Sequence, residues 1–273
     1  MKRVIKRAPD NGCWLSVVPS LINGTVLTSD EFRDSLWMRF NKTPRHLPRM
    51  CDACDCPFDV RHALKCARGG LIHRRHDLVK KVWIDLCGSA FGSNNVTDEP
   101  LIHHSRAELN EPAAATGPAN SNREGERGDV GVVGFYNDHR LAIFDVRITD
   151  VDGASNTRSK RSPQACLLNH EKQKFKSYGD ACAQLRRDFV PLVFSADGLH
   201  GKHATAAVKR LAALLAKSWG TAYPVTCGYI RSRISLSLAR SLTMCLRDPR
   251  DPTSTATAMT PVVDAASLSA LHV

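Results

Sequence analysis

The sequence predicts an α/β protein with a Cys/His cluster ahead of its main folded region. Three observations lead to this prediction. Two short apolar segments, 130–135 and 141–148, have the length and composition of strands joined by a hairpin. Longer segments on either side of them repeat apolar residues at helical spacing. Cysteines and a histidine within residues 51–66 have the spacing of a zinc site.

The first fifty residues are predicted to lack a core of their own, and we interpret segment 1–50 as the remnant of an upstream domain. Ser29 or Asp30 is expected to cap a helix that extends to Phe40, because apolar residues recur at helical spacing and prolines follow. The Cys/His cluster with its Gly-Gly turn then makes a small unit, 51–70.

Segment 71–250 is expected to form the main domain, because it contains most of the periodic apolar segments. Helices are predicted at 73–87, 162–185, 204–219 and 230–246, and strands at 100–102, 130–135, 141–148 and 189–194. Segment 105–128 has no periodicity and is predicted to be a flexible insertion. The Ser/Thr/Ala-rich tail, 251–273, is predicted to be disordered.

The charge distribution predicts a polyanionic partner. The chain carries a net charge of +11 with a pI near 9.3. Between Arg158 and Arg250 there are 17 basic and 5 acidic residues, whereas between Asp98 and Asp152 there are 5 basic and 11 acidic ones. Basic segments beside carboxylates are compatible with metal-dependent chemistry on phosphate groups. A solvated acidic loop explains part of the same charge pattern. We expect DNA as the partner, with RNA as the second candidate and no small-molecule ligand.

The ten cysteines do not follow the even spacing of a secreted disulfide framework. Four of them lie within 51–66 and the others are scattered, which indicates a metal site and reduced core thiols. The early apolar run is interrupted by Ser16, Pro19 and Ser20, so it does not resemble a signal peptide. No apolar run reaches the roughly 20 residues that span a bilayer. We therefore expect a soluble, non-secreted protein of the nucleus or cytoplasm, with no membrane partner.

The pattern Cys51-x2-Cys54-x7-His62-x3-Cys66 supplies three thiolates and one imidazole. Zinc prefers four such ligands in a tetrahedron, and one helical turn would place His62 and Cys66 on the same face. Cys56 is an alternative to Cys54. A chance group of buried thiols is the competing explanation. A closed four-ligand site predicts a structural role for Zn²⁺.

Two aspartates stand at the ends of neighbouring predicted strands. Asp129 opens the first strand and Asp145 lies near the end of the next, so both carboxylates are expected at one end of the sheet. Such a pair can bind Mg²⁺, which takes oxygen ligands and supports attack on a phosphodiester. The following helix offers Lys172, Lys174 and Lys176 as the accompanying cation. Aspartates near strand ends are also common in α/β proteins without a catalytic role.

These motifs occur in the order found in one family. The Cys51–Cys66 cluster is followed by Gly69-Gly70-Leu71 with Arg75-His76, Arg127-Gly128-Asp129, Phe144-Asp145-Val146-Arg147 and Lys174-x3-Tyr178. Over roughly residues 14–250 the chain resembles the C-terminal region of non-LTR retrotransposon proteins, in which a CCHC zinc knuckle precedes a restriction-like endonuclease. The resemblance implies a PD-(D/E)xK core with an N-terminal zinc knuckle and Mg²⁺-dependent nicking of target DNA.

Under this resemblance, Asp129 and Asp145 correspond to the two metal-binding carboxylates and Lys174 to the catalytic lysine on the helix. The chain departs from the pattern at three positions: Gly128 replaces a proline, Arg147 occupies the usual lysine position in the strand, and Ser177 replaces a lysine before the tyrosine. The last departure leaves the choice among Lys172, Lys174 and Lys176 open.

Glu99, His76 or Asp77 could complete the metal site, although a structural role is the simpler expectation for each. The chain has no aromatic-x-Asp-Asp strand, which a reverse transcriptase would need, so it resembles a truncated or degenerate element. The main alternative to a nuclease is a non-catalytic, zinc-dependent nucleic-acid-binding remnant of a retroelement protein. A third possibility is a globular protein with structural zinc and no nucleic-acid role.

Overall fold

The computed structural model describes residues 12–40, 42–102, 126–153, 156 and 161–251. The protein is a mixed α/β structure built around a four-stranded sheet. Its helices are α1 (Ser29–Arg39), α2 (Val60–Ala63), α3 (Leu71–Phe91), α4 (Pro163–Gln184), α5 (Lys202–Trp219) and α6 (Tyr223–Arg247). Its strands are β1 (Val96–Asp98), β2 (Val130–Val133), β3 (Leu141–Thr149) and β4 (Asp188–Ser195).

The strands lie side by side in chain order. β1 and β2 pair antiparallel, as do β2 and β3, whereas β3 and β4 pair parallel along eight residue pairs. The parallel pair requires a crossover, and α4 provides it. The predicted hairpin between β2 and β3 is confirmed, and Gly134 in its loop has φ +85°, a conformation that favours glycine.

The two faces of β3 pack against different helices because strand side chains alternate. Phe144 and Val146 belong to the main core, to which the helices α3, α5 and α6 contribute. Ile143 packs on the opposite side with Cys182 of α4. Asp145 shares the α4 side with Ile143, so the sheet presents its buried carboxylate toward α4.

The expectation of a strand at 100–102 is wrong, because the paired residues are Val96–Asp98. Glu99 has φ +50°, which interrupts the extended backbone, and Pro100 has no N–H to donate to a sheet. Leu101 makes an isolated bridge with Arg127 beyond this break.

The first long helix has a different cap from the one expected. Thr28 caps α1, and its hydroxyl and backbone exchange hydrogen bonds with Glu31 in a capping box. The helix predicted at 230–246 begins earlier, at Tyr223, with Pro224 in its first turn, where the missing N–H costs nothing.

The described part of segment 1–50 packs on the C-terminal helix. The Trp14 backbone N–H donates to the Ser235 hydroxyl, and Arg247 pairs with the fully buried Asp34 at 2.7 Å. Among the described residues, no helix is long and apolar enough to cross a membrane. The predicted insertion falls largely, and the predicted tail almost wholly, outside the described residues.

Candidate metal centre and carboxylate site

The four predicted zinc ligands lie close together, in a small unit that packs against α6. The Cys54 sulfur is 3.5 Å from Nε2 of His62 and 4.0 Å from the Cys66 sulfur, and the sulfurs of Cys51 and Cys66 are 3.9 Å apart. All four ligand atoms lie within 4.8 Å of one another. A tetrahedral zinc ion with Zn–S of about 2.3 Å and Zn–N of about 2.0 Å requires ligand separations of roughly 3.5–3.8 Å. The cluster could therefore hold a metal such as zinc.

Local turns position these ligands. The backbone N–H of Cys51 donates to the Cys56 carbonyl, and Asp55 adopts a left-handed conformation with φ +53°, which closes the first turn. Asp59 caps α2 by accepting the His62 N–H, and the Cys66 N–H donates to the His62 carbonyl. Cys56 is exposed and lies outside the cluster, so the geometry selects Cys54 as the ligand.

The thiols of the cluster influence one another electrostatically. Burial raises the pKa of the Cys51 thiol, but hydrogen bonds from the Ala53 backbone and His62 outweigh it and lower the pKa to about 7. Burial and the neighbouring thiols raise the pKa of Cys66. Thiolates crowded in this way repel each other, and a divalent cation removes the repulsion.

The cluster is attached to the rest of the protein by the segment after α6. The Asp52 carboxylate accepts the backbone N–H groups of Arg250 and Asp251. The buried Arg250 guanidinium donates to the carbonyls of Ala63 and Cys245. Gly69 has φ +72° and lies so close to the Arg250 backbone that a Cβ atom would overlap it. Sequence reasoning missed this joint, since its two halves are nearly 200 residues apart.

Asp145 and Lys174 meet on the α4 side of the sheet. Asp145 is 5% exposed, and the Lys174 ammonium lies 3.1 Å from its Oδ1 and 2.8 Å from its Oδ2. Among the described residues, no donor has hydrogen-bond geometry to Oδ2 despite the short ion-pair distance. Lys172 and Lys176 on the same helix are exposed. Of the three lysines, Lys174 is the one that contacts Asp145.

Asp129 lies just before β2, beside the residue that follows Asp145. Its backbone N–H donates to the Phe144 carbonyl, and its Oδ2 accepts the backbone N–H of Val146. The same oxygen is 3.0 Å from Nε2 of His76 on α3. The preceding Gly128 has no room for a side chain, because a Cβ would overlap Ile143. This close packing accounts for a glycine at that position.

The charges in this site are strongly coupled. Burial raises the pKa of the Asp145 carboxyl; the Lys174 charge opposes that effect and the Asp129 charge adds to it, so the net shift is upward. Burial lowers the pKa of His76, but its hydrogen bonds to Asp129 and Asp77 outweigh burial and raise it. Two carboxylates in one partly buried site need compensating positive charge.

The other candidates for this site have different partners. The Glu99 carboxylate pairs with Lys80 at 3.0 Å, and Lys80 also contacts Asp98. Asp77 is exposed and reaches the site through His76. Arg147 donates to Gln173 on α4. The Tyr178 ring lies 5.4 Å from the Lys174 ammonium and helps to hold it, a contact that the four-residue helical spacing made foreseeable.

Scans of this sequence against protein-family models and against curated proteins find no match. The geometry of the two sites is therefore the basis for any functional argument.

Proposed function

We propose that this protein is a metal-dependent DNA endonuclease of the PD-(D/E)xK type, with a structural zinc knuckle, that nicks target DNA as in non-LTR retrotransposons. The observation that carries the proposal is the Asp145–Lys174 ion pair with Asp129 beside it, whose Oδ2 accepts the N–H of Val146, the residue after Asp145. The mixed α/β fold around a four-stranded sheet is compatible with it, since the resemblance implies an α/β core.

The donor set fits Mg²⁺. Asp129 and Asp145 offer carboxylate oxygens, the ligand type that this ion prefers. Asp145 Oδ2 is buried and lies 2.8 Å from the Lys174 ammonium, so Mg²⁺ would share this carboxylate with the lysine. Val146 and His76 both engage Oδ2 of Asp129, and within the described part of the chain no hydrogen bond or ion pair reaches its second oxygen. When bound, Mg²⁺ would supply Lewis-acid chemistry to the phosphodiester and to the attacking water.

The protein's own groups would position the reactants. The Lys174 ammonium stands beside Asp145, where it can stabilise negative charge that develops on the scissile phosphate. His76 and the Val146 N–H fix the orientation of Asp129. Because these contacts come from α3, β3 and α4, the sheet holds the site in place before DNA arrives.

Zinc in the Cys51, Cys54, His62 and Cys66 cluster would be structural in this proposal. Four ligands would complete a tetrahedron around the ion, which would leave no position for a reacting group. The partner is DNA, and the place of action is then the nucleus.

One observation favours a second candidate, the non-catalytic nucleic-acid-binding remnant. Lys174 forms a close ion pair with Asp145, and such a pair can also serve a structural purpose in a partly buried position. Basic residues between Arg158 and Arg250 would still attract a polyanion.

A plasmid-nicking assay separates the two functions. The wild-type protein should convert supercoiled plasmid to nicked circles in Mg²⁺ and not in its absence. Asp145→Asn and Asp129→Asn should abolish nicking while retaining DNA affinity, because each keeps its shape and loses a charged ligand. Asp138→Asn, in the exposed hairpin loop, is the matched control and should nick normally. A wild-type protein that binds DNA without nicking it in Mg²⁺ or Mn²⁺ would favour the binding remnant.

A further inference from the structure

An exposed group of aromatic side chains lies at the turn between α5 and α6. Trp219, Tyr223 and Tyr229 are 41–42% exposed, and Val225 beside them is 66% exposed. We call Trp219, Tyr223, Val225 and Tyr229, with the neighbouring Lys217 and Arg233, the aromatic tip. Large aromatic side chains are usually more buried than this, so the group calls for an explanation.

The turn itself is well defined. Gly220 ends α5 in a left-handed conformation with φ +63°, and Pro224 lies in the first turn of α6. The rings of Trp219 and Tyr229 meet edge to face at 5.6 Å, and the Arg233 guanidinium donates to the Tyr229 hydroxyl at 2.8 Å. These contacts fix the rings while leaving much of their surface in solvent, so little ordering is needed on binding.

The helical hairpin that carries the aromatic tip contains basic residues and no acidic ones. Between Gly198 and Arg247 there is no aspartate or glutamate, and there are eight basic residues: Lys202, Lys209, Arg210, Lys217, Arg231, Arg233, Arg240 and Arg247. Lys202, Lys209 and Lys217 are exposed at intervals of seven and eight residues, which places them on one side of α5. A row of lysines leads along the helix to the aromatic rings.

We infer that the aromatic tip and the lysine row of α5 bind single-stranded nucleic acid, with bases stacked on Trp219, Tyr223 and Tyr229 and the backbone along the lysines. Every base has a flat face that can stack on an exposed aromatic ring, and phosphates match the exposed lysines of a helical hairpin that itself contains no aspartate or glutamate. A protein partner would also use exposed aromatic residues, but it would not require a helical hairpin whose charged residues are all basic.

This surface is separate from the carboxylate site. Val208, Leu211 and Leu215 of α5 pack on the side of the sheet that carries Phe144, whereas Asp145 faces α4. The inference therefore stands whether or not Asp129 and Asp145 support cleavage. If both proposals hold, one chain binds nucleic acid at two places.

Fluorescence anisotropy with a labelled oligodeoxythymidine of about 12 nucleotides, in the absence of Mg²⁺, tests the inference without involving the cleavage step. Trp219→Ala and Tyr229→Ala should each weaken binding by roughly tenfold, as expected for loss of one stacked base. Trp219→Phe should retain most of the affinity because it keeps a stacking surface. Phe40→Ala, at another exposed aromatic residue, is the matched control and should bind as the wild type does.

Intrinsic fluorescence gives a second, direct readout. Stacking on a base should quench Trp219, so the oligonucleotide should reduce emission of the wild type more than that of Trp219→Phe, in which the other three tryptophans remain. Equal quenching in both proteins, or equal affinity of the wild type and the alanine variants, would overturn the inference. So would alanine variants that alter the oligomeric state but leave oligonucleotide affinity unchanged, since a protein partner would then occupy the surface.

Discussion

The Cys/His cluster and the carboxylate site differ in how far apart their members lie in the chain. The cluster draws its four ligands from residues 51–66, whereas the carboxylate site combines His76, Asp129, Asp145 and Lys174 from four separate parts of the chain. Short turns fix the first group, and the packing of helices on a sheet fixes the second. A local site can be predicted from spacing alone, and a dispersed one requires the correct tertiary arrangement.

The largest expected effect comes from removing a ligand of the local site. Cys66→Ser should release the metal and lower the free energy of unfolding by several kcal/mol, since binding energy at structural zinc sites contributes to folding. Metal analysis should find about one Zn²⁺ per wild-type chain, and denaturant unfolding reports the stability.

Cys56→Ser is the matched control for that experiment, because Cys56 is exposed and outside the cluster. It should keep the metal and the wild-type stability. Loss of zinc from Cys56→Ser with retention in Cys54→Ser would show that the ligands are not the four that the geometry groups together.

The next effect concerns the dispersed site. Lys174→Ala should reduce the nicking rate by about 10²–10³-fold, the cost of removing one group that stabilises developing charge. Lys172→Ala and Lys176→Ala, exposed on the same helix, should change the rate little. Single-turnover plasmid nicking measures all three, and equal losses would mean that α4 acts only as a diffuse positive surface.

The joint between the Cys/His cluster and the segment after α6 should have an intermediate effect. Arg250→Ala removes buried hydrogen bonds to Ala63 and Cys245 and a contact with the Phe58 ring, and should cost about 2–4 kcal/mol in the free energy of unfolding. Arg250→Lys should recover part of this, because it keeps the charge without the planar fork. Urea unfolding measures the stability of both variants, and Arg61→Ala, at an exposed arginine, is the control. If Arg250→Ala unfolds with the same free energy as the wild type, the stability of the Cys/His cluster does not depend on this joint.

The smallest effect tests a histidine outside both sites. Burial of the His200 ring lowers its pKa from 6.5 to about 4, and the positive charge of Arg231 contributes to this shift. Between these values the unfolded chain binds a proton that the folded chain excludes, so stability falls as the pH drops through this window. His200 is partly accessible to solvent, which limits its expected contribution to about 1–2 kcal/mol.

Urea unfolding at pH 7 and pH 4.5 isolates that contribution. His200→Gln cannot take up the proton and should lose less stability than the wild type between the two pH values. Acid also weakens metal binding by cysteine, but the two proteins share that loss. Identical pH dependence would assign the acid sensitivity to the Cys/His cluster or to other groups.

The sequence by itself determined the type of most elements and the composition of the local cluster. The spacing of apolar residues predicted α3, α5 and the hairpin of β2 and β3. Each of these elements buries one face, so its apolar residues recur with the period of a helix or a strand. The Cys51–Cys66 spacing identified four ligands because turns of a few residues hold them. The strand expected at 100–102 is reduced to an isolated bridge at Leu101, because the left-handed backbone of Glu99 interrupts the regular pairing.

Only the tertiary structure decided which side chains of the dispersed site meet. The spacing to Tyr178 favoured Lys174 but left Lys172 and Lys176 open, and the rotation of α4 over β3 directs Lys174 to Asp145 and the other two to solvent. The packing of α3 against the sheet brings His76 into contact with Asp129. Lys80, on the same helix, forms an ion pair with Glu99. The reason is physical: a helix's phase and position depend on the total burial of its apolar face, which depends on the whole core and on no single motif.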